Sequence, residues 1–520
     1  MENEFPSFQA HSTGTPVKPR RSTAISGVAP TAVVGSFNNS LQNAKMAILG
    51  RVLCAKVDGV WVKREETLPR PGHTRLVSTF FNALENLMLE TAPIPSNEYP
   101  LLYEGRKRKI YSKAVDELKT RAITREDSVI KMFLKYEKDI RSSKPGRIPR
   151  VISPPGPCYL VETGRYVKPV EKKVYGIIDQ VFGHDVVVKG RNYSEVGQIF
   201  ADHWASFTDP VSLDIDVEKM DRSITKEFLF KTHGPILASF PGDDYIRELL
   251  SWQGKSKVKG RTDDGYFSYE VEGTLTSGQT NTALVGVLVV CSTMYSYARS
   301  INVNIRLVDA GDDCTVVMES KDLERFSRGL RPFFRAQGFE LTISEPNFNL
   351  EGIEFCQCHP VDVGGQYRMV RNPRDAAIKD AVSLNELKTA KEFISWTNAV
   401  SSSGIATHGG IPVAQEFYAM FGRSSQHLLN ELVLSSRQAK RLRYKMKRWV
   451  VDGSMMWWGR GLKLRYSDIS WNTRVSYYLA FGITPNEQLC LEARYRKHTM
   501  RFTRAVPFEE NTFVEIWPEK

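Results

Sequence analysis

Two apolar runs, Ile305–Val308 and Thr315–Met318, flank the segment Ala310-Gly-Asp-Asp-Cys314 and read as paired strands joined by a tight turn. No other feature of the 520 residues restricts the fold as strongly. Two adjacent carboxylates cannot both enter a core, so the tip of such a hairpin must leave at least one acid open. Gly311 supplies a backbone conformation that other residues resist. Taken alone, Gly-Asp-Asp describes an ordinary turn as well as a catalytic one, because turns are rich in both residues.

A second acidic strand end occurs at Val211-Ser-Leu-Asp-Ile-Asp216, with Asp221 five residues further on. By itself it reads equally as an acidic strand-to-helix turn in which Asp221 caps a helix. A third element, Thr276-Ser-Gly278-Gln-Thr-Asn281-Thr282, leads from a small polar loop into a run without charged residues. Taken together the three become specific. Acids at two strand ends about ninety residues apart can meet on neighbouring strands and hold two divalent cations. Two metals roughly 3.5–4 Å apart stabilise the attacking and leaving oxygens of an in-line phosphoryl displacement. Mg²⁺ suits such a site because it prefers carboxylates, waters and substrate phosphates. Asp221, Ser277, Asn281 and Thr282 add short polar groups able to bond sugar hydroxyls. A fourth element, Lys131-Met-Phe-Leu-Lys135-Tyr-Glu-Lys138 followed by Arg147-Ile-Pro-Arg150, brings cations that can neutralise a triphosphate, or form a solvated basic helix and loop.

The formal net charge of +12 favours a polyanionic partner, nucleic acid or an anionic membrane surface. Seven scattered cysteines do not form a disulfide framework and fit a reducing compartment. Cys356, Cys358 and His359 lack the matching pair that a zinc site requires and read as strand packing. The N-terminus has no apolar signal region. The uncharged stretch 273–298 contains only nine continuous apolar residues, Ala283–Cys291, where about twenty would be needed to span a bilayer. It reads as a buried helix. Residues 437–465 interleave Lys440, Arg441, Arg443, Lys445, Lys447, Arg448, Arg460 and Lys463 with Tyr444, Trp449, Trp457 and Trp458. The pattern fits an RNA-stacking surface and a helix with core tryptophans equally well. Gly254-Lys-Ser256 is no P-loop because its upstream Gly is replaced by Leu249.

Along the chain, residues 1–45 read as a mobile Ser/Thr/Pro-rich arm, short anchoring pieces aside. Ser112–Thr120 and Arg125–Tyr136 carry helical spacing. Strands and helices then mix, and Leu387–Thr397, Val413–Phe421 and His427–Val451 are helical. The order predicts an α+β core with helical flanks.

The sequence of a basic motif, Asp-x4-Asp, Ser-Gly-x3-Thr and Gly-Asp-Asp resembles the motif order of RNA-dependent RNA polymerases of positive-strand RNA viruses. The closer resemblance is to the tombusvirus-like (carmovirus-like) group. It is carried by Gly105-Arg-Lys-Arg-Lys-Ile-Tyr111, Lys135-Tyr-Glu-Lys138, Pro149-Arg-Val-Ile152, Glu162-Thr-Gly-Arg-Tyr-Val-Lys-Pro169 and Ile353-Glu-Phe-Cys-Gln357. The resemblance implies a right hand: N-terminal extension and fingers over 46–204, a palm over 205–365 with a fingers insert at 223–272, and a helical thumb from 366. It implies that Asp216 and Asp312 are the main metal ligands, with Asp313 auxiliary, for two Mg²⁺ ions (Mn²⁺ being the alternative). Lys135 and Arg150 would contact the triphosphate, and Asp221, Ser277, Gly278, Asn281 and Thr282 the nucleotide. Phe355–Gln357 would lie on a hairpin supporting the growing strand. The implied partners are RNA template and product, nucleoside triphosphates, a viral auxiliary replication protein and host factors. The implied location is membrane-associated replication complexes in the host cytoplasm, with no transmembrane segment in this chain. The rival readings are a reverse transcriptase-like polymerase and a non-catalytic basic RNA-binding protein. Two departures from the family pattern stand out. Gly286 takes the place of an Asn nine residues after Ser277, and Gly338–Glu345 contains no Lys or His to act as a general acid.

Overall fold

A computed structural model describes residues 7–502 apart from 26, 31–33, 58–59, 141–146, 433–436, 439 and 443–458. At its centre lies a four-stranded antiparallel sheet in the order Ile305–Asp309, Asp313–Glu319, Pro210–Val217, Leu341–Ile343. Alternation along Pro210–Val217 sends Val211, Leu213, Ile215 and Val217 to one face, where they join the largest core cluster. Two helices cover that face. Thr282–Ser300 is buried almost all round, which explains its lack of charge. Leu323–Ala336 buries Phe326, Leu330 and Phe334, one residue per turn, and shows its arginines to water. Among the described residues Thr282–Ser300 alone has the length and apolarity to cross a membrane, but the core consumes that apolar surface.

A second sheet of five strands runs Gln9–Ser12, Gly265–Glu272, Lys255–Arg261, Ile130–Leu134, Val151–Ile152. Here the helical reading of Arg125–Tyr136 is overturned: Arg125–Ser128 is a single 3-10 turn and Ile130–Leu134 is a strand. Ile130, Met132 and Leu134 point inward while Lys131 and Phe133 point out. That two-residue period prevails once Lys255–Arg261 offers a parallel edge to pair with. The 26-residue helix Pro157–Phe182 begins with Pro at its first position and ends at Gly183, whose φ of 78° stops it. Beyond the central sheet come the hairpin Cys358–Asp362/Tyr367–Arg371 and the helices Ala390–His408, Ala414–Glu431, Trp471–Phe481 and Pro485–Lys497.

The N-terminal segment is not a free arm, and this corrects the sequence reading. Gln9–Ser12 forms the edge of the second sheet, Thr23–Ala24 pairs with Val382–Ser383, and Val34–Gly35 pairs with Asp139–Ile140. Its few large apolar residues are the reason: Phe8, Ile25, Val28 and Val34 are all buried in clusters built mainly by distant parts of the chain. Tyr495 also donates its hydroxyl to Val28 O at 3.2 Å. Of the basic–aromatic stretch, Tyr444, Trp449, Trp457 and Trp458 lie outside the described residues.

Candidate active site

The turn at 310–313 is closed by Ala310 N–H donating to Asp313 O at 3.0 Å, with Gly311 at φ +105°. Register then brings the acids together. Asp216 stands directly opposite Asp313 on the neighbouring strand, and Val217 N–H donates to Asp312 O at 2.9 Å. Asp216, Asp312 and Asp313 therefore share one end of the sheet, the first two exposed and the third partly buried. Like charges on facing positions repel. Burial first, then the charges of Asp312 and Asp216, push the Asp313 carboxyl up to about 6, while the Cys356 thiol and Lys189 act in the opposite sense.

Lys219, in the left-handed region at φ 47°, turns the chain from strand into the short helix Met220–Ser223 and sets Asp221 beside this cluster. Burial, and after it Asp312, raises Asp221 to about 7, with Arg150 opposing. Leu275 N–H donates to Asp221 O at 2.8 Å and ties in the polar loop that follows. Ser277 is exposed and accepts from Ser153 N–H at 3.2 Å. Gly278 passes so close to Pro154 that a Cβ would lie 2.4 Å from its Cα, so only glycine fits. Thr282 Oγ1 donates to Thr276 O at 2.8 Å and holds the loop over the helix start.

Asn281 is placed differently from its expected nucleotide contact. It is fully buried, and its amide exchanges two hydrogen bonds with Gln253 at 3.0 and 3.3 Å. Gln253 Oε1 also meets His233 Nε2 at 3.2 Å. Asn281 thus supports the site from beneath. Gly286 faces Met220: a Cβ there would stand 2.9 Å from Met220 Cε, so methionine fills the space that a larger residue at 286 would need.

The cations expected at the triphosphate come from the second sheet. Lys135 N–H donates to Arg150 O at 2.9 Å, which brings the two side chains to neighbouring positions. Both lean on Glu137, at 2.9 Å from Lys135 and 3.6 Å from Arg150. The Cys-x-Cys-His cluster is structural: Cys358 is buried and His359 Nδ1 meets Glu351 O at 3.2 Å. Among the described residues no group of three or more His, Cys, Asp or Glu is placed to hold a metal ion. Asp216, Asp312 and Asp313 supply carboxylates of the kind that a hard divalent cation takes one or two at a time, the rest of its shell being water and phosphate. The raised Asp313 reflects its burial first and then its crowding by Asp312 and Asp216.

The family model for viral RNA dependent RNA polymerase matches residues 9–503. The chain belongs to this family. It is 35% identical over 491 residues to the RNA-directed RNA polymerase of oat chlorotic stunt virus (isolate United Kingdom), covering 92% of this chain and 64% of that one. Against the RNA-directed RNA polymerase of tobacco necrosis virus (strain A) the identity is 32% over 509 residues, covering 97% and 67%. Against that of turnip crinkle virus it is 32% over 492 residues, covering 95% and 62%. The chain thus spans about two thirds of the length of these relatives.

Two residues of this family member, Asp309 and Lys189, escape a motif search, and a third, Cys356, belongs to the segment Ile353–Gln357 quoted above. Asp309 is fully buried, accepts from Gly311 N–H at 3.2 Å, and is driven well above the usual carboxylate range by burial. It braces the turn from behind. Cys356 packs against the cluster of Val188, Ala310 and Phe355, and burial followed by the charge of Asp313 pushes its thiol well above the usual range. Lys189 stands beside Gly311, with Nζ 3.6 Å from where a Cβ would be. The only local trace of Lys189 is the run Val186-Val-Val-Lys-Gly190, an apolar strand ending in a cation and a turn glycine.

Proposed function

We propose that this chain carries out template-directed RNA synthesis, replicating a positive-strand RNA viral genome by nucleotidyl transfer. Membership in the family supports the reading. The observation that carries it is the register of Asp216 against Asp313 with Asp312 beside them, all at one strand end. An RNA 3′-hydroxyl attacks the α-phosphate of the incoming nucleoside triphosphate, the bond to the β-phosphate's bridging oxygen breaks, and pyrophosphate leaves. Two Mg²⁺ ions held by Asp216 and Asp312, with Asp313 auxiliary, would supply the positive charge that stabilises the attacking and leaving oxygens. Lys135 and Arg150 neutralise the triphosphate once it displaces Glu137 from between them. Asp221, raised to about 7, sits where it can bond the ribose 2′-hydroxyl, and Ser277 offers its hydroxyl from the facing loop.

In this reading the central sheet with its two covering helices is the palm, within 205–365. Residues 46–204 and the insert 223–272 form the fingers, and the helices from 366 form the thumb. Residues 7–45 strap fingers to thumb through the pairs with Gly265–Glu272 and Val382–Ser383. Template, product RNA and nucleoside triphosphates are the partners at the site. A viral auxiliary protein and host factors in cytoplasmic membrane-associated complexes belong to the same proposal.

Primer extension on an RNA template with Mg²⁺ tests it, with NTPs and dNTPs compared. Incorporation of NTPs, abolished by chelation, is the expected result. Equal use of dNTPs would indicate a reverse transcriptase-like enzyme. RNA binding without any incorporation would leave a basic RNA-binding protein.

A further inference from the structure

The segment 186–188 adds an edge to the central sheet. Asp309 N–H donates to Val186 O at 2.8 Å, and Val188 N–H donates to Asp309 O at 3.1 Å. The Asp179 carboxylate accepts from the N–H groups of Val186 and Val187 at 2.8 and 3.1 Å and fixes this edge to the helix Pro157–Phe182. Gly190, at φ +86°, then turns the chain away. The result is one lysine delivered, partly buried, to the side of the Gly311 turn. Its charge is felt by Asp309, Asp313 and Cys356. The neighbouring Arg191 is spent on Asp185 at 2.6 Å, whereas Lys189 makes no direct ion pair among the described residues. It stands near the acids of the turn without a direct bond to one of them, so its ammonium can also meet an anion from outside.

Position says which anion. Across the central sheet the order is 186–188, Ile305–Asp309, Asp313–Glu319, Pro210–Val217. Lys189 therefore approaches the acids from the Ile305–Asp309 side. Asp221, whose neighbour is Arg150, leaves from the Pro210–Val217 side. In-line transfer brings two phosphate-bearing groups to the metal pair from opposite sides: the triphosphate and the strand that receives it. Lys135 and Arg150 serve the first. The turn Phe355–Cys358 lies on the Lys189 side, because Phe355 and Cys358 pack with Val188 and Ala310 in one buried cluster and Cys356 packs against it.

We propose that Lys189 binds the backbone phosphate at the 3′ end of the growing RNA strand, between the Gly311 turn and the Cys356 turn. The inference rests on the nucleotidyl-transfer reading above. It assigns a cation to the acceptor strand, which no motif in the sequence supplies.

The test uses Lys189→Met and Lys189→Arg in the full chain, with a primer–template RNA whose last internucleotide phosphate is either natural or an uncharged methylphosphonate. Lys189→Met should raise KM for primer–template about tenfold, the effect of one lost charge-assisted hydrogen bond. KM for the next NTP should stay unchanged, and Lys189→Arg should recover most of the loss. The methylphosphonate should weaken primer binding to the wild-type protein, measured by fluorescence anisotropy without NTP, and should have little further effect on Lys189→Met. An equal methylphosphonate penalty in both proteins, or a rise in NTP KM with primer KM unchanged, overturns the assignment. If Lys189→Met fails to fold, the methylphosphonate penalty in Lys189→Arg decides: its persistence supports the contact and its absence in the wild type excludes it. Failure of the polymerase reading is distinguishable, because the wild-type protein would then extend no primer of either kind.

Discussion

Carboxylates crowd together in two regions of this molecule, and the protein treats them in opposite ways. In the C-terminal helices, Glu416 and Glu492 have side chains 2% and 1% exposed. Arg474 grips Glu492 with two parallel hydrogen bonds of 2.8 and 3.0 Å, and Arg496 bridges Glu492 at 3.3 Å to Glu416 at 2.9 Å. Arg423 adds a contact to Glu416 at 3.3 Å, and Val413 N–H donates to Glu492 at 3.1 Å. Every charge there is answered within the fold. At the strand end of the central sheet, Asp313 faces Asp216 and adjoins Asp312, and like charges rather than a bidentate arginine stand next to the half-buried Asp313. The same contrast exists along a single strand. Asp214, two residues before Asp216 on the same face, is buried and accepts from Thr315 Oγ1, Asn347 Nδ2 and Glu354 N–H at 2.7–2.9 Å. A satisfied acid holds the structure together. An acid left short of positive charge stores affinity for a cation from solution.

The contrast predicts opposite signs for the same substitution. Asp216→Asn or Asp312→Asn should reduce synthesis about 1,000-fold or more, several kcal/mol of barrier, while melting temperature holds or rises and RNA binding persists. Asp313→Asn should cost only about 10–100-fold, because it is the auxiliary ligand. Primer extension beside thermal melting checks both, and near-normal extension by either main variant would remove the metal assignment. Glu492→Gln should do the reverse, destabilising the fold by about 3–5 kcal/mol by leaving Arg474 buried and unanswered. A Glu492→Gln protein that melts like wild type would break the comparison.

Smaller effects sharpen it. Asp221→Ala should lower the ratio of GTP to dGTP incorporation opposite a template C about tenfold, the value of one hydrogen bond to a charged group. Asn281→Ala should lower it less, and Gln253→Ala should match Asn281→Ala, because the two amides form one unit. An unchanged ratio in Asp221→Ala with activity retained would place sugar recognition elsewhere. The same residue gives an effect in pH. Asp221 is raised to about 7 from 3.8, so the folded protein holds a proton that the unfolded chain has lost. The resulting destabilisation is full above pH 7 and disappears as pH falls towards 4. In chelator, Asp221→Asn should therefore be more stable at pH 8, by up to about 4 kcal/mol, with the gain vanishing near pH 4. A gain independent of pH would mean that Asp221 is not raised.

The catalytic constellation was legible where chemistry is local. Gly311 with two acids between two strand-length runs, and Asp216 at the end of an alternating strand, announce themselves within a few residues. The uncharged run 282–298 could only be a buried helix. The reading failed where a partner decides. Arg125–Tyr136 matches helical spacing until Lys255–Arg261 pairs with Ile130–Leu134, and polar residues 7–45 look mobile until their scattered apolar side chains find distant pockets.

The amino-acid sequence by itself determined the turn that carries Asp312 and Asp313, the strand that carries Asp216, and the family. These follow from periodicity and turn chemistry over a few residues. Only the tertiary structure decided that Asn281 is spent on Gln253, that Met220 fills the space before Gly286, and that Lys189 reaches the Gly311 turn. Each of those pairings joins residues 28, 66 or 122 positions apart. Which buried polar group meets which partner at such separations is settled by the packing of whole elements, and no local pattern encodes it.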